Sequence, residues 1–268
     1  MGNRRKGSFG GGRFVVDTVV GEGGTARVFR CRDTKDHNKV VAVKELRRAL
    51  IDSEEIVARF ELEADLLQKF EHPNILGLIQ RDHDHGVPWF ACTYAAQGSL
   101  ADVMLRRGHI EPRDLLTWMT EILEALDYLH TEFEVVHRDV KPENILLDDQ
   151  DVAMLCDFGI ALSPTRRATM VGDRMGTPSF MPPEQYTDPD KVTPQADLYG
   201  LGVTLFTALT GQTGMMLLVD HLRHDALAHM NPAIAAIVDK ATSVKVGDRY
   251  ASAMELSLAI ADVLEDMP

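Results

Sequence analysis

The sequence predicts an α+β protein in which a small lobe of antiparallel strands with one helix precedes a larger, mainly α-helical lobe. Two observations carry this prediction. Short β-branched segments separated by polar turns fill most of the first third of the chain, whereas apolar residues at helical spacing dominate after residue 97. The length of 268 residues fits one large domain or two closely joined lobes.

The composition is that of an ordinary globular protein, with 45% hydrophobic and 26% charged residues. The formal net charge of −13 opposes the attraction to phosphates on which general nucleic-acid binding depends, so we expect no nucleic-acid partner. Three cysteines are too few, and odd in number, for a disulfide framework. We therefore expect a reducing, cytoplasmic location.

Neither the N-terminus nor any apolar segment predicts targeting to a membrane. Residues 1–12 are basic and glycine-rich, and we predict a flexible tail there. The longest apolar segment, 198–209, is too short and too rich in glycine and threonine to cross a bilayer. A membrane anchor is expected only if it lies outside this chain.

The small lobe is predicted to contain five strands and one helix. The helix takes Asp52 as its N-cap, with Glu55 completing a capping box. Its apolar stripe reaches Phe70, and the sequence HPN at 72–74 stops it. The strands are predicted at 14–20, 26–31, 40–44, 75–79 and 88–94, with a polar turn over 81–86.

The larger lobe is predicted to be helical, with two short strands. One long amphipathic helix presents a broad apolar face, and a later segment is apolar on nearly every side, which predicts a buried helix. These two helices are predicted at 114–130 and 198–209, further helices at 232–242 and 252–265, strands at 145–147 and 153–156, and irregular chain over 163–187.

A glycine cluster between the first two strands carries the first sign of chemistry. Gly21, Glu22, Gly23 and Gly24 precede Val28, and glycines allow backbone N–H groups to approach phosphates closely. An ordinary hairpin turn explains the same residues, and the cluster alone does not decide between the two. A dinucleotide-binding motif of the Rossmann type is disfavoured, because a strand and not a helix follows.

Two charged residues stand where apolar surroundings are predicted. Lys44 ends a buried strand and shares a face with Ala42, while Glu63 falls within the apolar stripe of the helix. Buried charges need opposite charges, so we predict that Lys44 and Glu63 pair. The alternative is two unrelated surface residues. The small Ala42 beside the lysine leaves room for a flat ring with phosphates beyond it.

The sharpest cluster is the sequence HRDVKPEN at 137–144, which is followed, after an apolar strand, by DFG at 157–159. Asp139, Asn144 and Asp157 fall on short loops that bound the predicted strands. Such oxygen ligands suit Mg²⁺, which prefers a few protein oxygens together with nucleotide phosphates. A solvated charge run does not explain these residues, because apolar segments flank both loops.

Together these motifs resemble those of eukaryotic-type Ser/Thr protein kinases, in the family's order, from about Phe14 to Leu264. The glycine loop and the sequence MPPEQ at 181–185 are similar to the bacterial branch of that family. The resemblance implies a bilobal protein-kinase fold with ATP bound in the cleft between the lobes. The small lobe would span 13–95 and the large lobe 96–268.

The resemblance implies that the small lobe builds the ATP site. Lys44 would hold the α- and β-phosphates and pair with Glu63. The third glycine of the family's loop is Ala26 here, a departure that stiffens the loop slightly. Cys92 would be the gatekeeper residue before an adenine-binding hinge at 93–95. The implied ATP-binding residues are Gly21, Glu22, Gly23, Gly24, Val28, Ala42, Lys44, Cys92, Thr93, Tyr94 and Ala95.

The resemblance assigns the transfer chemistry mainly to the large lobe. Asp139 would accept the proton of the substrate hydroxyl, and Lys141 would steady the transferring phosphate. Asn144 and Asp157 would hold Mg²⁺ or Mn²⁺. ATP and this cation are the implied cofactors, and proteins carrying serine or threonine are the implied substrates.

Further residues of the family pattern would have structural roles. Glu184 is expected to pair with Arg249, and Asp197 is expected to cap the buried helix and brace the catalytic loop. Thr177 belongs to the activation segment and, together with Lys141, favours serine and threonine over tyrosine as the acceptor. The family's usual alanine in the motif that ends in Glu184 is a proline here, which is a minor departure.

An arginine beside the catalytic aspartate implies regulation by phosphate. In the family, a residue such as Arg138 often awaits a phosphate on the activation segment, where phosphothreonine can order a loop by pairing with arginine. Thr165 and Thr169 lie in that segment, so we predict autophosphorylation at one of them. The alternative is a mobile polar loop with no regulatory role.

Other functions fit parts of the pattern less well. A pseudokinase scaffold would bind nucleotide without turnover, and a kinase of small molecules would lack the protein-docking segment found at 176–184. Pairing of two copies through the small lobe is left open, and the sequence HDH at 83–85 is interpreted as a polar hairpin tip rather than a metal site. The residues that argue against a pseudokinase are all present: Lys44, Glu63, Asp139, Asn144 and Asp157.

Overall fold

Residues 7–158 and 178–267 are described by the computed structural model of this protein, and they divide into two units. The first unit contains residues 7–96 together with Asp157 and Phe158. The second contains residues 97–156 and 178–267. This division lies one residue from the boundary predicted after residue 95.

The first unit is built on an antiparallel sheet of six strands in the order β1-β2-β3-β4-β6-β5. One helix, α1 (Glu54–Leu67), packs against β6 and β5. The strands are β1 (Ser8–Phe9), β2 (Phe14–Glu22), β3 (Ala26–Asp33), β4 (Lys39–Leu46), β5 (Leu78–Asp84) and β6 (Val87–Thr93).

The two faces of the sheet carry different sets of side chains, because side chains alternate along each strand. One face carries a buried cluster in which Cys31 of β3 lies opposite Val41 of β4. The other face carries Val28, Ala42 and Lys44, with Val28 opposite Lys44 in the register of β3 and β4. The apolar core on the first face thereby holds the strands that present the candidate ligand-binding residues on the second.

The prediction of a flexible tail over residues 1–12 is wrong for residues 8–12. Ser8 and Phe9 form β1 and pair with Val15 and Phe14 of β2. Phe9 is 7% exposed, and its ring centre lies 5.3 Å from that of Phe29 and 5.5 Å from that of Trp89. Residues 10–12 are glycines with φ of +60°, +64° and +99°, which reverse the chain between β1 and β2. The basic, glycine-rich composition gave no indication that Phe9 is buried.

The predicted start and end of α1 also need correction. The N-cap is Ser53, not Asp52, and no side-chain cap bond forms, so the predicted capping box is absent. Glu55 instead forms an ion pair with Arg59 at 2.9 Å. The helix ends at Leu67, before Phe70. The predicted polar turn over 81–86 is mostly strand, because β5 continues to Asp84 and pairs with β6.

The second unit combines a small sheet with seven helices among its described residues. Its three antiparallel strands are β7 (Gly98–Ser99), β8 (Ile145–Leu147) and β9 (Ala153–Leu155). The helices are α2 (Leu100–Arg107), α3 (Pro112–Glu132), α4 (Pro183–Thr187), α5 (Gln195–Thr210), α6 (Asp220–Ala228), α7 (Pro232–Ala241) and α8 (Ala253–Asp266).

Helix α5 is buried on nearly all sides, as its composition predicted, and it packs closely against the 137–144 loop. A Cβ atom at Gly200 would lie 2.7 Å from the carbonyl oxygen of Val140, so only glycine permits this approach. The predicted strands 145–147 and 153–156 and the predicted helices at 114–130, 232–242 and 252–265 are present within a few residues.

Helices α2 and α6 were not predicted, and the short helix α4 lies within the segment 163–187 that was predicted to be irregular. The start of α2 carries a capping box, in which Asp102 N donates to Ser99 Oγ at 3.1 Å and Ser99 N donates to Asp102 Oδ2 at 2.9 Å. The spacing of Ser99 and Asp102 was a sequence signal that could have indicated this helix. No helix in residues 7–158 and 178–267 has both the length and the apolar character needed to cross a membrane.

Candidate active site

Lys44 and Glu63 form the ion pair that the sequence predicted. Lys44 extends from β4, and its Nζ lies 2.7 Å from both carboxylate oxygens of Glu63 on α1. Glu63 is 4% exposed, and the Lys44 ammonium lies 5.6 Å from the ring centre of Phe90. The pair therefore links the helix to the sheet within an apolar environment. The alternative of two unrelated surface residues is excluded.

Burial changes the acidity of Glu63. Loss of solvent raises the pKa of Glu63 to about 7, although the nearby Lys44 ammonium lowers it. The Asp157 carboxylate raises the pKa further, because it repels a second negative charge. This part of the first unit thus contains two acidic side chains that influence each other, and Lys44 is the cation beside them.

The glycine cluster forms the turn of the hairpin between β2 and β3. Gly21 lies opposite Val28 in the strand register, and Gly23 N donates to the carbonyl of Ala26 at 2.9 Å. The turn itself, Glu22 to Thr25, is exposed. This geometry fits a loop whose backbone amides face a phosphate chain, and it fits a simple hairpin equally well.

The predicted gatekeeper lies on the face of the sheet that carries Ala42, and the predicted hinge begins at the last residue of β6. Cys92 lies opposite Ala42 in the register of β4 and β6 and is buried. Burial raises the pKa of the Cys92 thiol to about 12, so it remains a neutral, apolar side chain. Thr93 closes β6, with its N–H donating to the carbonyl of Gly77 at 3.0 Å, and Tyr94 and Ala95 follow outside the strand.

Asp157 adopts a backbone conformation that non-glycine residues rarely use. Its φ is +65°, in the left-handed region, which marks a residue that its surroundings hold in place. The next residue, Phe158, is fully buried, and its ring centre lies 5.2 Å from that of Phe70. The buried phenylalanine therefore anchors the chain immediately after the aspartate.

In the second unit, two predicted residues, Lys141 and Asn144, converge on the carboxylate of a third, Asp139. Lys141 Nζ lies 2.7 Å from Asp139 Oδ2, and Asn144 Nδ2 donates to the same oxygen at 2.9 Å. Asn144 Nδ2 also donates to the backbone carbonyl of Asp139 at 2.8 Å. These bonds use one carboxylate oxygen as the acceptor for both neighbours. The cluster lies between α3 and β8, on a loop closed by a short 3₁₀ turn at Pro142–Asn144.

The orientation of the Asn144 amide suits a cation ligand. Because both acceptors are oxygens, the atom that faces Asp139 must be the amide nitrogen. The amide oxygen then remains for another ligand, and an oxygen is the atom that Mg²⁺ requires. Across residues 7–158 and 178–267 no cluster of three or more His, Cys, Asp or Glu side chains could hold a metal by itself. The amide oxygen of Asn144 thus fits a cation that phosphate oxygens also bind.

The 137–144 loop is held by a buried network centred on Asp197. Its carboxylate accepts hydrogen bonds from the backbone N–H of His137 at 2.9 Å and of Arg138 at 2.6 Å. His130 Nε2 lies 2.8 Å from the same carboxylate. The predicted brace is therefore present. The predicted capping role is wrong, because the N-cap of α5 is Pro194 and Asp197 lies in the first turn.

Glu184 and Arg249 form the predicted ion pair with two parallel bonds. Arg249 Nη1 lies 2.6 Å from Glu184 Oε1, and Nη2 lies 2.8 Å from Oε2. The guanidinium also stacks 4.9 Å from the ring centre of Tyr199 and donates to the carbonyl of Ser243. This bidentate geometry ties α4 to the segment before α8.

A groove runs beside the catalytic loop within the second unit. Its volume is about 580 Å³, and it is lined by catalytic-loop residue Glu143 and by residues of α2, α5 and the 178–180 turn. Apolar side chains such as Leu105, Ile110 and Phe180 contribute much of its wall. Pro142 and Glu143 of the 137–144 loop, which also carries Asp139, form part of its lining.

Some predicted residues cannot be placed, and some contributors were missed. Thr165, Thr169 and Thr177 lie outside the described residues. His137 was quoted only within its motif, yet it is fully buried, and its Nε2 donates to the carbonyl of Cys156 at 3.0 Å. His130 was missed, although its position on the apolar side of α3 was a weak signal.

The histidines of the predicted polar tip at 83–85 lie beside exposed carboxylates. His83 Nε2 lies 3.0 Å from Glu61 Oε1, and His85 Nε2 lies 3.7 Å from Asp84 Oδ1. All four side chains are about half exposed or more. The geometry agrees with the interpretation of these residues as an exposed hairpin end.

Comparison with known proteins identifies similar sequences over nearly the whole chain. The family profile described as "Protein kinase domain" matches residues 14–267. Myxococcus xanthus "Serine/threonine-protein kinase pkn3" is 31% identical over 265 residues, which cover 90% of this chain and 48% of that protein. Bacillus subtilis (strain 168) "Serine/threonine-protein kinase PrkC" is 29% identical over 263 residues, with coverages of 93% and 40%.

A third relative has the same relationship. Lactococcus lactis "Probable serine/threonine-protein kinase PknB" is 27% identical over 262 residues, which cover 93% of this chain and 42% of that protein. The chain therefore spans 40% to 48% of the length of these three relatives.

Proposed function

The chain belongs to the protein kinase family, and from that premise we propose that it transfers the γ-phosphate of ATP to serine and threonine hydroxyls of proteins. The observation that carries the proposal is the Asp139 carboxylate, held at 2.7 Å by Lys141 and at 2.9 Å by Asn144. A base, a cation and a metal ligand on one loop are what phosphoryl transfer requires.

Asp139 and Lys141 have different roles at the acceptor hydroxyl. Asp139 accepts the hydroxyl proton as the oxygen attacks phosphorus, and one of its carboxylate oxygens stays free of both neighbours for this purpose. The Lys141 ammonium stabilises negative charge on the transferring phosphoryl group. Asn144 fixes the direction of the carboxylate by bonding to its side chain and to its backbone.

Lys44 and Glu63 prepare the donor. Glu63 holds the Lys44 ammonium at 2.7 Å, and the ammonium then meets the α- and β-phosphates as a fixed point charge. Val28 and Ala42 line one side of the adenine site, Cys92 lies behind it, and the backbone at 93–95 bonds its edge. Gly21, Glu22, Gly23 and Gly24 form the loop that covers the phosphates.

The divalent cation would be held by Asn144 and Asp157. When bound, it neutralises phosphate charge and polarises the bond that breaks. Oxygen donors of this kind suit Mg²⁺ or Mn²⁺, each together with phosphate and water ligands.

Two findings support a protein as the phosphate acceptor. The groove beside Glu143 has a volume of about 580 Å³ and an apolar wall, which suits a peptide better than a small polar metabolite. The relatives named above are described as serine/threonine-protein kinases.

A kinase of small molecules is the less favoured alternative. A pseudokinase is disfavoured, because Lys44 and Asp139 are both present and paired.

We extend the proposal to regulation by autophosphorylation at Thr165 or Thr169. Support comes from Arg138, whose guanidinium Nη1 donates to the carbonyl of Pro189 at 3.3 Å and lies on the loop beside Asp139. Phosphopeptide mapping of the active chain should find one of the two threonines modified, and the Asp139→Asn variant should carry no phosphate there. Unmodified threonines in fully active protein would contradict this extension.

Location and assembly follow from weaker observations. The cysteine content favours a cytoplasmic location. Pairing of two copies through the small lobe is a further proposal, and measuring the oligomeric state at rising protein concentration would test it.

The kinase proposal itself is tested by incubating the chain with γ-labelled ATP and a generic protein. Acid hydrolysis should release labelled phosphoserine and phosphothreonine. Label on tyrosine alone, or on a small hydroxyl compound alone, would contradict the proposed acceptor.

A further inference from the structure

Gln185 is a buried polar residue that the proposed mechanism does not use. It lies in α4, directly after Glu184, and is 4% exposed. Its side-chain Nε2 donates a 3.0 Å hydrogen bond to the backbone carbonyl of Arg138, 47 residues earlier in the chain. Because a carbonyl only accepts, this contact fixes which end of the amide is the nitrogen. The amide therefore reaches the residue immediately before Asp139.

Arg138 has a backbone conformation that needs support from its surroundings. Its φ is +68°, in the left-handed region that non-glycine residues avoid. Two side chains from distant segments hold its backbone. Asp197 Oδ1 accepts from its N–H at 2.6 Å, and Gln185 donates to its carbonyl at 3.0 Å. Both polar backbone atoms of the strained residue are thus bonded, one to α5 and one to α4.

The carbonyl of Arg138 belongs to the same planar peptide unit as the nitrogen of Asp139. Fixing this oxygen fixes the plane from which the Asp139 side chain extends. The nitrogen end of the unit has a longer contact, a 3.3 Å donation to His137 Nδ1. The Gln185 bond is therefore the shorter of these two contacts.

We propose that Gln185 is a positioning residue for phosphoryl transfer, because its amide N–H orients the Arg138–Asp139 peptide and so directs the Asp139 carboxylate at the substrate hydroxyl. This inference rests on the proposed kinase activity. Gln185 touches no reacting atom and acts through Asp139. Its loss should therefore lower kcat and leave the KM for ATP nearly unchanged.

Two substitutions and one control test the role. Gln185→Met preserves length and burial and removes the donor, and it should lower kcat by about 10²-fold, the cost of a misplaced catalytic group. The KM for ATP should stay within about twofold, because the site of Lys44 is untouched. The control is Gln195→Met, which removes an amide whose Nε2 donates to the carbonyl of Ala251 at 3.5 Å, away from the catalytic loop. It should retain wild-type kcat.

A pH profile separates positioning from general damage. In the Gln185→Glu variant, the new carboxyl group can donate to the Arg138 carbonyl only when it is protonated. Burial favours the protonated, neutral form of that group. Its kcat, relative to wild type at each pH, should rise as the pH falls, whereas the ratio for Gln185→Met should stay flat. Wild-type kcat in Gln185→Met, or a flat ratio in Gln185→Glu, overturns the inference while the proposed function stands. A wild-type chain that phosphorylates no protein overturns both.

Discussion

Lys44 Nζ lies 2.7 Å from both carboxylate oxygens of Glu63, and the sheet and helix α1 of the first unit meet at this contact. Removing one partner leaves the other charge buried without compensation, which is costly in an apolar environment. The contact also fixes the ammonium in one place before any nucleotide arrives. Under the proposed kinase activity, Lys44 is therefore a preorganised group for binding phosphate.

Replacing the lysine should mainly impair the use of ATP. Lys44→Met should lower kcat/KM for ATP by about 10²–10³-fold, the usual effect of removing one preorganised electrostatic group. Steady-state kinetics with varied ATP measures this directly. Lys39→Met is the matched control, since Lys39 is exposed at the start of the same strand. Equal losses in the two variants would mean that damage to the strand, not loss of the ammonium, is the cause.

The raised pKa of Glu63, about 7, predicts a pH dependence. As the pH falls through about 7, Glu63 is protonated, the pair with Lys44 loses its attraction, and kcat/KM for ATP should decline. In Glu63→Gln that decline should be absent and activity should be low at every pH. A profile recorded from about pH 5 to about pH 9 makes the comparison. A wild-type profile without an acidic limb near 7 would contradict this assignment.

The same group affects stability in the opposite direction. Its folded-state pKa of about 7 lies above the ordinary value of 4.5, so the folded protein binds the proton more tightly than the unfolded chain does. The stability that this group contributes is fully present below pH 4.5 and is lost as the pH rises through 7. Urea unfolding of wild type and Glu63→Gln across this range should show a slope in the wild type that the variant lacks.

The N-terminal strand should contribute substantially to stability. Phe9 is packed against Phe29 and Trp89, so Phe9→Ala should lower the free energy of unfolding by about 3–5 kcal/mol, the range for a buried aromatic. Urea denaturation gives the value. Ser8→Ala, at the exposed neighbouring position, should change it little. Identical curves for wild type and Phe9→Ala would mean that residues 8–12 are a tail after all.

The ion pair between Glu184 and Arg249 should be a stabilising contact. Arg249 is fully buried at its guanidinium, so Glu184→Ala leaves a buried charge unpaired and should cost about 3 kcal/mol. The exposed pair of Lys191 and Asp188 provides the comparison, and Lys191→Ala should cost less than about 1 kcal/mol. Similar losses from both variants would show that burial does not strengthen the first pair.

The parts of the site that could be predicted from the sequence are those in which chemistry stands out locally. A lysine in an apolar strand and a glutamate in an apolar helical stripe required each other, and the structure pairs them. The cluster of Asp139, Lys141 and Asn144 lies within six residues, so its convergence needs only one loop.

Features that depend on distant contacts could not be predicted in the same way. Phe9 is buried because the folded sheet places Trp89 beside it, and this contact cannot be read from the local sequence. Its basic, glycine-rich neighbours indicated a tail instead. The bond from Gln185 to Arg138 joins residues 47 positions apart, and no periodicity indicates it. The choice of Ser53 over Asp52 as N-cap depends on the path of the chain into α1.

The measurement that tests the proposed chemistry most directly is intact mass after incubation with Mg²⁺ and ATP. Wild type and Asp139→Asn are first treated with phosphatase, so that both start without phosphate. At a turnover of about 1–100 per second on good substrates, even inefficient self-transfer should add mass within an hour. We predict added phosphate in the wild type and none in Asp139→Asn. Equal gain in both proteins would contradict the role of Asp139, and no gain in either, with a generic protein also unmodified, would contradict the kinase activity.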